Sequence, residues 1–300
     1  DDDLVGIVVT VGGMEALHLA VLATVGPGEE LLAPGPVWPN YETQARLAEG
    51  TFREVPMPAE TGFALDADRV IDEMSDETAA IVLTTPSNPT GRVYDQAACR
   101  AVVEAAADHD AYVIADEVYL GLTYDGPGQG IAAYTDHPEH VLTVGSCSKT
   151  YAMTGWRLGW LAGDRHLTDE VVTIHESTTA CASSVAQHAA IAALTGPQKP
   201  FEEMYDAFEA RRDLVVDRVA SIDGLSCPRP EGAFYAYLDP GLDEPALDVA
   251  TYLLEEHGVV LAPGDGFGET TPGRLRLSFA SSPAELREGF DRIEAGLDAY

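Results

Sequence analysis

Lysine is almost missing from this sequence. Lys149 and Lys199 are the only two in 300 residues, and fifteen arginines supply the rest of the basic side chains. Against these stand 50 Asp and Glu, for a formal net charge of −33. Such an excess repels nucleic acid and anionic membranes, so neither is expected as a partner. Long apolar runs are lacking as well, and none approaches the length of a membrane span. Cysteine is scarce: Cys99, Cys147, Cys181 and Cys227 are widely spaced, with no CxxC or Cys/His pattern. That supports neither a metal site nor a disulfide framework, and fits reduced, mostly buried thiols in a cytoplasmic protein. The opening "DDDLVGIVVT" has no initiator Met, no basic region and no signal-like core. A start this close to a strand-like run suggests a missing upstream segment.

What is present is a globular pattern. Apolar residues make up 46% of the chain, enough for a sizeable core. The acids are dispersed among apolar periodic segments rather than blocked together, which argues against disorder. Dispersed carboxylates of this density resemble the surfaces of proteins from salt-accumulating cells, where salt screens their repulsion. Stability that depends on high salt is therefore expected.

Strand-like runs fall at Gly6–Val11, Glu30–Ala33, Phe52–Met57, Ala80–Thr84, Ala111–Ala115, Val141–Val144 and Leu158–Ala162. Helical periodicity lies between several of them, at Met14–Val25, Tyr41–Glu49, Asp66–Met74 and Gln96–His109. This alternation predicts an α/β fold with a mainly parallel sheet, covered by helices, whose ligands bind at the carboxyl ends of the strands. Beyond about Asp164 the texture changes. Long helical patterns at Leu167–Leu194 and Phe201–Ser221 precede short strands at Phe234–Leu238, Val259–Ala262 and Leu275–Phe279, then a last helix at Pro283–Leu297. Two domains are expected: a large one over residues 1–165 and a smaller α+β one over residues 166–300.

Several strand ends carry residues with two readings. In "TVGGMEALHLA" the amides of Gly13, Met14 and Glu15 open a helix, either as an ordinary βα turn or as an anion site. Trp38, in "APGPVWPNYE", is either core or a plate for a planar ring, and Tyr41 shares the ambiguity. Asn88, in "LTTPSNPTGRVY", either serves the backbone of a proline-rich turn or donates to a ligand, and the run invites a cis X–Pro bond. Asp116, in "VIADEVY", is either a structural partner or a carboxylate awaiting a cationic ligand nitrogen; Tyr119 follows three residues on. In "VGSCSKTYAMTGWRLGWLAG", Ser146 and Ser148 flank Lys149 and Arg157 follows. Two hydroxyls and a guanidinium suit a phosphate. An amine of lowered pKa beside them can form a Schiff base with a carbonyl. Together the set matches what pyridoxal phosphate requires.

On "GGMEAL", "SNPTG", "ADEVY", "SCSKTYAMTGWRLGW" and "LRLSFA", the chain resembles the class I/II aminotransferases of the fold-type I pyridoxal-phosphate superfamily, over essentially its whole length. The resemblance implies a seven-stranded, mainly parallel sheet with helices on both faces. It implies exchange of an amino group between an L-amino acid and a 2-oxo acid by ping-pong chemistry, in a homodimer. Lys149 would form the Schiff base with the cofactor aldehyde and carry the proton. Asp116 would pair with the pyridine nitrogen, and Asn88 and Tyr119 with the phenolic oxygen. Trp38 would stack on the ring. The Gly13, Met14 and Glu15 amides, Ser146 and Arg157 would hold the phosphate. Arg276 would clamp the substrate carboxylate, with Asn88 beside it, while Arg274 reads as a surface strand arginine. Relatives carry an N-terminal segment ahead of the double-glycine turn, and this sequence begins just before that turn. Met14 stands where some aspartate-using relatives have lysine, which tilts the expectation toward a neutral or aromatic substrate. Two other activities fit the same residues: a carbon–sulfur β-lyase, and the aminotransferase-like domain of a transcription regulator.

Overall fold

β-Branched and aliphatic runs of five to seven residues build the main sheet in a computed structural model that describes residues 5–268, 271 and 273–300. Its strands are β1 (Val5–Thr10), β2 (Glu30–Gly35), β3 (Thr51–Pro56), β4 (Thr78–Thr84), β5 (Tyr112–Asp116), β6 (Val141–Ser146) and β7 (Gly159–Asp164), in the spatial order β1-β7-β6-β5-β4-β2-β3. All seven fall on the expected runs. The pairings among β2 to β6 are parallel. β7 runs antiparallel to both neighbours, with Ser146 opposite Gly159 and Thr10 also opposite Gly159. The chain therefore leaves β6 and re-enters β7 at the same edge of the sheet, and the stretch carrying Lys149 is that reversal.

Helices cover the two faces. α1 (Gly12–Thr24) and α2 (Asn40–Leu47) close one core, with Leu17, Leu19, Leu31, Tyr41 and Leu161 fully buried in it. α3 (Ala67–Asp72) and α4 (Gln96–Asp108) close the other, around Phe63, Ile81, Leu83 and Val113. Asp95 starts α4 by accepting from the amides of Ala97 and Ala98, as a helix N-cap should. A four-residue helix, α5 (Cys147–Thr150), follows β6.

After β7 the expected helix over residues 167–194 is two helices, α6 (Arg165–Thr178) and α7 (Ser184–Thr195). Hydroxyl side chains at the break bond back into the helix, Thr178 Oγ1 to the Ile174 carbonyl, and Ala180 takes a left-handed φ of 65°. Such local bonds compete with helix continuation. α6 packs on β1 and α1 rather than on the later elements. α8 (Lys199–Ser221), α9 (Ala246–His257) and α10 (Pro283–Ala299) surround a second, antiparallel sheet of β8 (Tyr235–Leu238), β9 (Ala262–Pro263) and β10 (Leu275–Ser278), with β10 central. α9 was not anticipated, although Ala246, Val249, Ala250 and Leu253 are its buried stripe and Gly258 closes it in the left-handed region. The strand expected at residues 259–262 shrinks to a two-residue pairing, because Val259 and Leu261 turn into the core of the smaller sheet. Two cysteines are buried, Cys99 and Cys147; Cys227 is half-buried and Cys181 exposed, so burial is less general than expected. Among the described residues no helix is long and apolar enough to cross a membrane, and no cluster of side chains could hold a metal ion.

Candidate active site

The carboxyl ends of β1, β2, β4, β5 and β6 converge on a cavity of about 330 Å³. Gly13, Met14, Trp38, Asn88, Asp116, Tyr119, Ser146, Lys149, Arg157 and Arg276 all line it. Of the expected residues, only Glu15 is not among the lining side chains.

Lys149 sits in the reversal between β6 and β7. Its Nζ lies 5.6 Å from the centre of the Tyr119 ring and 5.3 Å from that of Phe234. Burial lowers the lysine pKa, and repulsion from Arg276 and Arg157 lowers it further, while Asp116 partly offsets them. Each of the first three disfavours the ammonium, so the amine is biased toward its nucleophilic form.

Asp116 ends β5 and is 4% exposed. Its two hydrogen-bond donors are neutral: the Tyr41 phenol at 2.7 Å and the Val118 amide at 3.3 Å. Burial raises its pKa, and those bonds and Lys149 only partly counter this. Tyr41 in turn shares a 2.6 Å bond with Thr84 Oγ1. The ambiguity over Tyr41 resolves to a buried residue that orients the carboxylate, and Thr84 joins it unanticipated. Trp38 packs edge-on to Tyr41 at 5.8 Å.

The phosphate-suited groups are not equivalent. Ser146 Oγ accepts from the Ser148 amide and donates to the Leu158 carbonyl, at 3.1 and 3.2 Å. It caps α5 and ties β6 to the start of β7. Ser148 Oγ, by contrast, is buried in the cavity wall with no partner. Arg157 has a left-handed φ of 53° and donates to the Thr154 carbonyl at 2.8 Å. Its guanidinium lies on the double-glycine turn: a Cβ on Gly12, whose φ is +78°, would be 2.6 Å from Arg157 Nη2. Only glycine admits both that backbone and that approach.

Arg276, on β10, reaches the cavity from the smaller sheet. Nη1 donates to Asn88 Oδ1 at 2.9 Å, and the guanidinium lies between the rings of Tyr235 and Phe267, at 4.5 and 4.6 Å. Its Nε is buried without a partner. The Asn88 loop is held against the smaller sheet, since the Gly91 carbonyl accepts from the amides of Glu231 and Gly232. The Asn88–Pro89 bond is cis, as the sequence invites, and so are Gly35–Pro36 and Thr85–Pro86. Tyr119 shares a 3.2 Å hydroxyl contact with Tyr235, and burial raises the Tyr119 pKa far above its ordinary value. Tyr235 and Phe267 carry no local sequence signal; only β10 pairing and folding bring them here. Arg274 departs from its expected surface place. It is half-buried, pairs with Asp239 at 2.9 Å and covers the Phe63 ring at 5.2 Å.

A family model for aminotransferases of class I and II matches residues 2–293. An aspartate aminotransferase of Rhizobium meliloti is 36% identical over 97% of this chain and 74% of its own length. A putative aminotransferase, YugH, of Bacillus subtilis is 37% identical over 96% of this chain and 75% of its own. Among solved structures, the aromatic aminotransferase of Pyrococcus horikoshii superposes with a TM-score of 0.94 at 33% identity, covering 100% of this chain and 80% of that one. The aspartate aminotransferase of Thermus thermophilus with maleate superposes with a TM-score of 0.91 at 35% identity, covering 97% and 75%.

Proposed function

The chain belongs to the class I and II aminotransferases, and from that premise we propose that the strand-end cavity is where it binds pyridoxal phosphate and moves the amino group. It is an amino-acid aminotransferase, of a class that works with this cofactor. The observation that carries the assignment of the cavity is the neutral company of a buried acid. Asp116 meets only a phenol and an amide by hydrogen bond, so a cationic ring nitrogen would supply the partner that its burial calls for. The unpartnered Ser148 Oγ and the guanidinium of Arg157 fit the phosphate of the same molecule.

When bound, the cofactor supplies an electron sink that stabilises negative charge at the substrate Cα. The protein groups do the rest. Asp116 would hold a proton on the ring nitrogen by its charge. Asn88 and Tyr119 would orient the ring edge, and Trp38 would cover its face. Lys149 Nζ removes the proton from the substrate Cα and returns one after transfer. Arg276 binds the α-carboxylate through a planar fork already stacked between two rings, so little is lost in ordering it. The substrates proposed are an L-amino acid and a 2-oxo acid in ping-pong order.

In this reading residues 1–165 form the cofactor-binding domain and residues 166–300 the smaller one, with α6 returning to the first. A cytoplasmic homodimer is proposed. Its support is the apolar outer row of β1, where Val5, Ile7 and Val9 are exposed, together with free cysteines. The acidic surface is proposed to need salt: melting is expected to rise from millimolar to molar potassium chloride, and equal melting points at both would overturn that.

The test of the function is an absorption spectrum with pyridoxal phosphate, followed by donor and acceptor assays. A visible band lost in Lys149→Ala, with amino transfer that requires a 2-oxo acid, is the expected result. Pyruvate and ammonia formed without an acceptor would indicate lyase chemistry instead.

A further inference from the structure

Glu15 stands in the first turn of α1, yet its side chain leaves the cavity. The helix begins after Val11, which offers no side-chain cap. Glu15 takes over that duty from inside the helix. One carboxylate oxygen, Oε2, accepts from the Val11 amide at 2.5 Å. The other, Oε1, faces His175 Nδ1 at 3.2 Å and accepts from the Thr179 hydroxyl. Thr179 Oγ1 also lies 3.1 Å from His175 Nδ1. A ring nitrogen facing a carboxylate carries its hydrogen there, so Nδ1 donates. The Glu15 and His175 side chains are only 9% and 8% exposed.

This cluster joins three elements. His175 and Thr179 end α6, Glu15 opens α1, and Val11 precedes the Gly12–Gly13 turn. On its other side the turn meets Arg157, whose Nη2 would lie 2.6 Å from a Cβ on Gly12. The Val11 anchor stands one residue before that turn, and Arg157 lies against it. It also disposes of a difficulty. A carboxylate at a helix N-terminus is drawn to the exposed amides and competes there with any other anion. Two donors from α6 and the Val11 amide hold this one outside the cavity.

We propose that Glu15, held by His175 and Thr179, is a positioning residue that sets the anion-binding turn and couples the end of α6 to phosphate affinity. The proposal rests on reading the turn, with Ser148 and Arg157, as the phosphate cradle of this site.

The full chain and its variants are titrated with pyridoxal phosphate and with unphosphorylated pyridoxal, and inorganic phosphate is used as a competitor. Glu15→Gln keeps the shape but places an amide where an acceptor is needed. It and Glu15→Ala are expected to weaken pyridoxal phosphate and inorganic phosphate about tenfold each, with pyridoxal changed less than about twofold. Thr179→Val and His175→Leu remove one donor each and are expected to cost about threefold on the phosphate compounds alone. These two keep the proposal testable if Glu15→Ala does not fold. Equal weakening of pyridoxal and pyridoxal phosphate, or no weakening of either, overturns it. Wild type that binds neither compound would overturn the cofactor reading and this proposal together, whereas wild-type binding without the phosphate-selective loss overturns this proposal alone.

Discussion

The two sheets meet at one cavity but furnish it on different terms. The large sheet contributes from its strand ends, where Gly13, Trp38, Asn88 and Lys149 each follow a strand and Asp116 ends one. The smaller sheet contributes from the strands themselves, through Tyr235, which opens β8, and Arg276 within β10. Their electrostatics differ too. The large sheet buries an acid among neutral donors, as a cationic ligand nitrogen would require. The smaller sheet presents a guanidinium whose hydrogen-bond partner is a neutral amide oxygen, as an anionic ligand would require. On the proposed reading the first wall takes the cofactor and the second the substrate carboxylate, and experiments can separate the two.

The largest effect should come from the first wall. Lys149→Ala is expected to lower turnover by about a thousandfold or more, since it removes the base and the amine together. Near-normal turnover in that variant would dissolve the distinction between the walls. Next in size is the second wall. Arg276→Ala should lower kcat/KM for both the amino acid and the 2-oxo acid by roughly a hundredfold, the loss of a charge-assisted pair, while cofactor affinity stays close to wild type. A matching fall in cofactor affinity would merge the walls into one.

A smaller effect sharpens the contrast in buried charge. Glu117 follows Asp116 but accepts from the Ile131 amide at 2.7 Å, and burial pushes its pKa up to about 7. A carboxyl whose folded pKa is raised keeps its proton in the folded state while the unfolded chain has lost it. Its contribution to stability is then present below the ordinary Glu range and falls as pH rises through that range to about 7. Glu117→Gln should flatten this part of the stability profile by roughly 3 kcal/mol, measured by denaturant unfolding between pH 4 and 8. An unchanged profile would refute it. The smallest effect concerns Arg274, two residues before Arg276. Its charge already meets Asp239, so Arg274→Ala should cost about 1 kcal/mol of stability and leave the KM values within about twofold. A large KM change would show that the two arginines share a task.

Much of this was legible beforehand, and the reason lies in how local each feature is. All seven strands of the large sheet read from short apolar runs, and its site residues stand within a few positions of a strand end. The misreadings are of features that depend on distant partners. The break between α6 and α7 involves Thr179, whose hydroxyl is engaged by Glu15 from the start of the chain. Ser146 and Ser148 look alike in sequence, yet the Leu158 carbonyl of the returning strand occupies one and leaves the other unpartnered. α9 was a different case, since its apolar stripe and closing glycine were there to be read.

By itself the sequence determined the alternation of strand and helix, the loops that bear Lys149, Asp116 and Asn88, and the acidic surface. Periodicity, turn chemistry and composition act over a few residues or over the whole chain, without regard to what packs where. Only the tertiary structure decided that Tyr41 and Thr84 orient Asp116, that Tyr235 and Phe267 enclose Arg276, and that His175 and Thr179 hold Glu15. Each of those contacts joins residues far apart in the chain, and it exists only once folding has closed the loop between them.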